Sequence, residues 1–166
     1  MQPSIGAHII KTAFGQWLPG DPRGHWSTAW SPEQGHHNPR QLNPGDPARQ
    51  QQAADRMQHP PTVWPDPIRQ TIADTIYACA DRSGWSVTAL AIEPTHFHLL
   101  VTPPPTDLDA TCKWLTQQIT KSVRTAHNHP NPVFAKGKWA TLVNDEEHWQ
   151  NAVAYINRHP HAIKLD

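Results

Sequence analysis

Residues 85–102 read WSVTALAIEPTHFHLLVT, two apolar runs separated by Glu93-Pro94-Thr95. Each run has the length and the β-branched and aliphatic content of a strand, and the three-residue link leaves room only for a tight turn. The stretch therefore reads as an antiparallel hairpin, 85–92 against 96–102, ended by Pro103-Pro104-Pro105. On its N-terminal side, Asp66 and Pro67 make a cap and a first helical position. Ile68, Ile72, Ile76 and Cys79 follow at helical spacing, and Ser83-Gly84 stops the helix. On its C-terminal side, Asp107 caps a second helix. Its Leu108, Cys112, Leu115, Ile119, Val123 and Ala126 step by four, three, four, four and three, an amphipathic stripe. A strand is predicted at 137–143 (GKWATLV), and Asn144-Asp145-Glu146-Glu147 opens a last helix running to Pro160, with acids where the helix dipole favours them. Residues 4–14 (SIGAHIIKTAF) read as a first strand. The order β, insertion, α, β, β, α, β, α predicts an α+β sandwich, helices packed on an antiparallel sheet.

The 166 residues suit one domain, 1–166. Between residues 20 and 65 the composition changes: Pro, Gln, Asn, Asp and Gly crowd together, with Leu42 and Val63 the only branched aliphatics. That stretch is expected to be an irregular insertion without its own core, pinned by Trp26, Trp30 and Trp64. Cys79 and Cys112 make neither a disulfide framework nor a zinc motif, which fits a reducing cytoplasm. No apolar run has membrane-spanning length. Fourteen basic and fourteen acidic residues cancel, which argues against a general nucleic-acid coat protein. The charge is uneven, however: 110–143 has no acid but carries Lys113, Lys121, Arg124, Lys136 and Lys138. A basic face beside the site described next is expected, against the ordinary reading of a solvated helix face.

Twelve histidines in this length give roughly one His-x-His pair by chance, so the pattern alone says little. Three occur: His96/His98, His127/His129 and His159/His161. Only the first lies inside an apolar strand, where the period of two puts both imidazoles on one face as ready metal ligands. The plainer alternative is a half-exposed strand in a His-rich chain. In the last helix, Trp149, Ala152, Val153 and Ile156 define the buried stripe, and Tyr155 and His159, four apart, share its flank. Their ordinary readings are an interfacial aromatic and a C-terminal helix charge. One chemistry joins the two places. A phenol, with a pKa of about 10, is a poor nucleophile at neutral pH, but beside a cation-neutralised phosphate it can attack phosphorus.

EPTHFHLLV (93–101) resembles the His-hydrophobic-His strand of HUH-type single-tyrosine transposases, the group that includes the REP-associated tyrosine transposases. AYINRHP (154–160) is similar to the closing helix of that family, and GKWATLVNDEE to the Trp-containing strand before it. WLPGDPRG (17–24) resembles a phrase from a subgroup. The resemblance spans residues 68–160 and implies a ferredoxin-like (RRM-like) fold. It implies Tyr155 as the nucleophile on single-stranded DNA with hairpin structure, forming a 5′-phosphotyrosine and later rejoining strands. His96 and His98 then hold a divalent cation, Mg2+ or Mn2+. His159 stands where the family has Asn or Gln, and this departure leans the site towards Mn2+ or a softer metal. His161, beyond Pro160, is the poorer ligand.

Two other functions compete with this transposase reading. One is a domesticated, catalytically inactive module that binds single-stranded DNA or RNA hairpins, favoured by the His159 departure and the low charge. The other is a small metalloprotein using His96, His98 and His159 for unrelated hydrolysis. Trp26, Trp30, Trp114 and Trp139 are candidates to stack on unpaired bases, although core packing is the commoner use of Trp. A homodimer sharing its Tyr helix is one possible assembly.

Overall fold

The structure, a computed structural model, describes residues 3–24, 30–31, 35–36, 44–137 and 139–164, with backbone alone at 30–31 and 35–36. In chain order the elements are β1 (Gly6–Thr12), β2 (Trp30–Ser31), β3 (Gly35–His36), α1 (Pro47–Asp55), α2 (Asp66–Ser83), β4 (Ser86–Ile92), β5 (His96–Thr102), α3 (Leu108–His127), β6 (Trp139–Val143) and α4 (Glu146–Asn157). They fall into two compact units, Met1–Phe14 with Thr62–Asp166, and Gly15–Pro61.

The larger unit is built on a four-stranded sheet of order β4-β5-β1-β6, with every neighbouring pair antiparallel. The run β1-α2-β4-β5-α3-β6 on that order is the ferredoxin-like arrangement, an α+β fold as the sequence predicts. Alternation along the strands decides what each face meets. Phe97, Leu99 and Val101 of β5 join Ile72, Ile76, Leu115 and Ile119 in the core beneath α2 and α3. Leu100 points the other way, into a second cluster with Trp149, Ala152 and Ile156 of α4. β5 is thus covered on both faces, which explains its continuous apolar run.

A bulge in β4 serves the same division. Val87 pairs with Val101 but Ala89 pairs with Leu100, so one extra residue is accommodated between them. Val87 then packs with the α2–α3 core while Ala89 and Ala91 turn to α4, where their small size lets the helix approach.

Element ends follow local chemistry. Asp107 accepts from the Ala110 N–H at 2.9 Å and Asp145 from the His148 N–H at 2.7 Å, capping α3 and α4. Gly84 ends α2 in the left-handed conformation, φ 70°. The strands are shorter than expected, β1 spanning Gly6–Thr12 and not 4–14, β4 starting at Ser86 and β6 at Trp139, and two helix boundaries also move. Pro65, not Asp66, is the residue before α2. The last helix stops at Asn157 rather than reaching Pro160, because a proline disfavours helical geometry in the residue before it. The chain after α4 returns to the sheet edge: Ala162 bridges Ala91, and the Ile163 N–H donates to the Leu90 carbonyl at 2.8 Å. Ala126, the last residue of the expected stripe, is exposed.

The stretch expected to be irregular contains a helix. α1 is capped by Asp46, whose side chain accepts from the Arg49 N–H, and it buries no residue, so no apolar period announces it. Ahead of it, Asp21 accepts from Arg23 in an ion pair of 2.7 Å, and the Arg23 guanidinium lies 4.3 Å from the Trp17 ring centre. WLPGDPRG is therefore a self-bracing loop. Trp64, near the end of this stretch, lies in the core of the larger unit, fully buried beside Phe97 and Phe134, with Nε1 donating to the Val133 carbonyl at 3.3 Å. Trp26 and the Trp30 side chain lie outside the described residues.

At Gly6 the Trp149 ring of α4 packs close against the sheet backbone. A Cβ there would sit 2.3 Å from the Val101 carbonyl oxygen and 2.4 Å from Cζ3 of Trp149. Since neither a strand carbonyl nor a seated indole yields easily, Gly6→Ala should cost about 1–3 kcal/mol of stability, read as a lowered urea midpoint at unchanged m-value.

Candidate functional site

Residues two apart on a strand share a face, and β5 brings His96 and His98 out on the face that carries α4. His159 reaches them from the turn after that helix, where its N–H donates to the Ile156 carbonyl at 3.1 Å and its own carbonyl accepts from Ala162. The ligand nitrogens of His96, His98 and His159 all lie within 4.8 Å of one another. Tyr155, off the buried stripe and 47% exposed, sets its ring edge-on to two of them. Its centroid is 5.4 Å from that of His98 and 5.1 Å from that of His159. The expected quartet is thus assembled, although His159 belongs to a turn and not to the helix flank.

Two further residues, not singled out from the sequence, join it. His8 of β1 sits opposite Leu100, and its Nε2 is 3.2 Å from Nδ1 of His98. Glu93, just before β5, accepts from the His161 N–H at 3.1 Å (Oε1) and from His161 Nδ1 at 2.6 Å (Oε2). Its Oε1 also lies 3.5 Å from His159 Nδ1. His161 is therefore Glu93's partner and not part of the three-histidine cluster. A histidine in an apolar strand was visible at position 8, but which residue it meets is a matter of sheet register, between residues far apart in sequence.

Burial governs the electrostatics. His98 is 4% exposed, and burial, followed by the charges of His96, His159 and His8, pushes its pKa down to about 3. Burial and then His148 push His8 down to about 4. Burial alone would raise the Glu93 carboxyl, but hydrogen bonds and charge from His161, with the charge of His159, hold it below its ordinary value. Near neutral pH, then, His98 is neutral, with a lone pair on one of its two ring nitrogens. Nε2 of His159 is buried and has no hydrogen-bond partner among the described residues. Close nitrogens, a buried neutral imidazole and an orphaned acceptor suit a divalent cation, so the residues present fit a metal.

The cations fall elsewhere. Lys113, Lys121 and Arg124 are exposed on α3, whose buried residues pack against the sheet face opposite to His96 and His98. The expected basic face beside the site is not formed by this helix, because strand alternation sends the histidines and the α3-facing residues in opposite directions. Lys136 is exposed in the loop before β6, and Lys138 lies outside the described residues. Of the tryptophans proposed to stack on bases, Trp114 packs on Trp85, their centroids 6.2 Å apart. Trp139, 44% exposed, stands edge-on to His8 at 5.1 Å and so borders the site. Among the described residues no helix is long and apolar enough to cross a membrane.

No protein-family model matches the chain, and no curated protein matches it in sequence. In three dimensions it is similar to a REP-associated tyrosine transposase bound to a REP hairpin, with a TM-score of 0.50 and 14% identity over 94% of this chain and 67% of that one. The two chains share a fold. A proposed transposase from Deinococcus radiodurans R1 aligns with a TM-score of 0.48 and 15% identity over 94% of this chain and 92% of that one.

The two depressed imidazoles predict acid sensitivity in the metal-free protein. Below an unfolded value of 6.5 the unfolded chain takes up protons that folded His8 refuses until about pH 4 and folded His98 until about pH 3. Stability is therefore full above that unfolded value and falls as pH drops through the window. His8→Leu should make the slope shallower by up to one proton, about 1.4 kcal/mol per pH unit, in urea titrations with chelator between pH 7 and 5. Equal slopes would show that folded His8 takes up its proton as readily as the unfolded chain does.

Proposed function

We propose that this chain is a HUH-type single-tyrosine transposase, a metal-dependent enzyme that cleaves and rejoins single-stranded DNA beside a hairpin. The observation that carries the reading is the position of Tyr155, half exposed and in ring contact with two of three clustered histidines. The motif resemblance supports it, and so does a fold shared with a tyrosine transposase that was solved bound to a REP hairpin.

The chemistry follows from the residues. Tyr155 Oη attacks the scissile phosphorus and forms a P–O bond to the 5′ side of the strand. The bond to the 3′ oxygen breaks, and that oxygen takes up a proton while the tyrosine loses one. The ester energy stays in the phosphotyrosine, so a 3′-hydroxyl can reverse the step and join strands without a nucleotide cofactor. His96, His98 and His159 would hold the cation, which supplies positive charge against the phosphate oxygens when bound. Three imidazoles favour Mn2+ or a softer ion over Mg2+. Trp139, which borders the site, is assigned to stack on an unpaired base. Lys113, Lys121 and Arg124, across the sheet from the histidines, are assigned to phosphates of the hairpin stem and not to the cleaved strand. Lys136 and Lys138, next to Trp139 in sequence, are assigned to the strand that enters the site. The cytoplasm is the proposed compartment, in keeping with two cysteines that are both free.

An end-labelled single-stranded hairpin from the flanks of the gene, incubated with Mn2+ or Mg2+, tests this on a denaturing gel. A protein–DNA adduct is expected, lost with chelator and lost in Tyr155→Phe while hairpin binding remains. An undiminished adduct in Tyr155→Phe would remove Tyr155 as the nucleophile. Salt-sensitive binding with no adduct in either metal would favour the inactive hairpin-binding module instead.

A further inference from the structure

We propose that Glu93 is the positioning residue for the third ligand, His159, and that His161 is the latch that aims it. The inference rests on the metal reading of the three-histidine cluster and deepens it.

The first support is where Glu93 sits. It is 8% exposed, in the link that leads directly into β5, so its backbone is fixed by the same strand that carries His96 and His98. The Glu93 N–H donates to the His96 carbonyl at 2.8 Å, which ties the link to the strand's first residue. A buried carboxylate needs donors, and the described residues supply them from one segment only, the chain after α4.

The second support is how the two oxygens are used. Oε1 takes the His161 N–H at 3.1 Å and Oε2 takes His161 Nδ1 at 2.6 Å, a bidentate grip that leaves the carboxylate one orientation. In that orientation Oε1 also faces Nδ1 of His159, at 3.5 Å. A carboxylate beside Nδ1 favours the tautomer with its proton there, which leaves the lone pair on Nε2. Nε2 is the buried atom of His159 that lacks a hydrogen-bond partner among the described residues. Carboxylate on one ring nitrogen and open lone pair on the other is the arrangement by which an outer carboxylate orients a metal-binding imidazole and raises its basicity.

The third support is the backbone. His159 sits on a turn and not in a helix, so the i−4 ladder does not fix its ring. The segment is instead held by Ala162 bridging Ala91 and by the Ile92 N–H reaching the His161 carbonyl at 3.4 Å. Glu93 closes the same segment from the side-chain end.

The test is a double-mutant cycle read by metal affinity, with Co2+ as the probe because its visible absorption reports the ligand set. Glu93→Gln, close in shape but uncharged, should weaken Co2+ binding by about 10- to 100-fold and shift the absorption band. In a His159→Asn background, where no imidazole remains to orient, the same Glu93→Gln change should alter affinity by less than about threefold. His161→Ala, which removes the Nδ1 bond to Oε2 but leaves the backbone N–H on Oε1 and the carboxylate charge, should reproduce part of the Glu93→Gln loss in the wild-type background only. Circular dichroism of each variant confirms that it is folded. An equal cost of Glu93→Gln in both backgrounds would overturn the proposal, since Glu93 would then act without His159. So would an affinity and spectrum unchanged by Glu93→Gln. Absence of Co2+ binding by the wild-type protein is a different failure: it removes the metal centre itself, and the role of Glu93 with it.

Discussion

Everything at the site depends on β5 being buried on both faces with opposite demands. On one face Phe97, Leu99 and Val101 fill the core beneath α2 and α3. On the other, Leu100 meets α4 while His98 is sealed beside it at 4% exposure. An imidazole is tolerated there because it can be neutral and hydrogen-bonded, at Nδ1 to His8. The strand that carries His96 and His98 is thus also a central strand of the fold, so their backbone positions are held with the core. Tyr155 and Trp139, by contrast, stand about half in solvent.

The same constraint separates charge from chemistry. With α2 and α3 committed to one face, a ligand approaching the histidines meets β6, α4 and the turn after it, none of which carries a dense set of cations. The basic side chains of α3 look away. A polyanion engaging both places would have to reach around an edge of the sheet, which suits a nucleic acid with a folded part and a single-stranded part better than a short oligonucleotide.

The fold was largely legible in the sequence because its elements carry strong periods and clear stops: the hairpin around Glu93-Pro94-Thr95, the α3 stripe, Gly84 after α2. The helix α1 was not, since a helix that buries nothing has no apolar period, and its Asp46 cap stands in a stretch where turn residues are everywhere. The site was half legible. His96 and His98, two apart on a strand, declare a shared face, and chemical reasoning joined Tyr155 and His159 to them, although the turn after α4 and not a helix flank brings His159 there. His8 and Glu93 could not, since their partners lie ninety residues away for His8 and sixty-eight for Glu93–His161. Those contacts exist only once the sheet order and the returning C-terminal segment are fixed. The misplaced basic face has the same origin: local spacing shows which side of α3 is polar, but not which side of the sheet α3 covers.

His159 illustrates why a ligand cannot be judged apart from its support. An amide side chain offers an oxygen whatever surrounds it, whereas an imidazole offers a lone pair only in the right tautomer and at the right tilt. Placing an imidazole on a turn, where helix geometry does not restrain it, therefore creates a need for an acceptor at its other nitrogen. On the proposed reading, Glu93, the one acid in the hairpin, meets that need, and His161, two residues beyond His159, offsets the acid's own cost of burial. Glu93, His159 and His161 are thus one device, in which each departure from an apolar or helical neighbourhood is justified by the next.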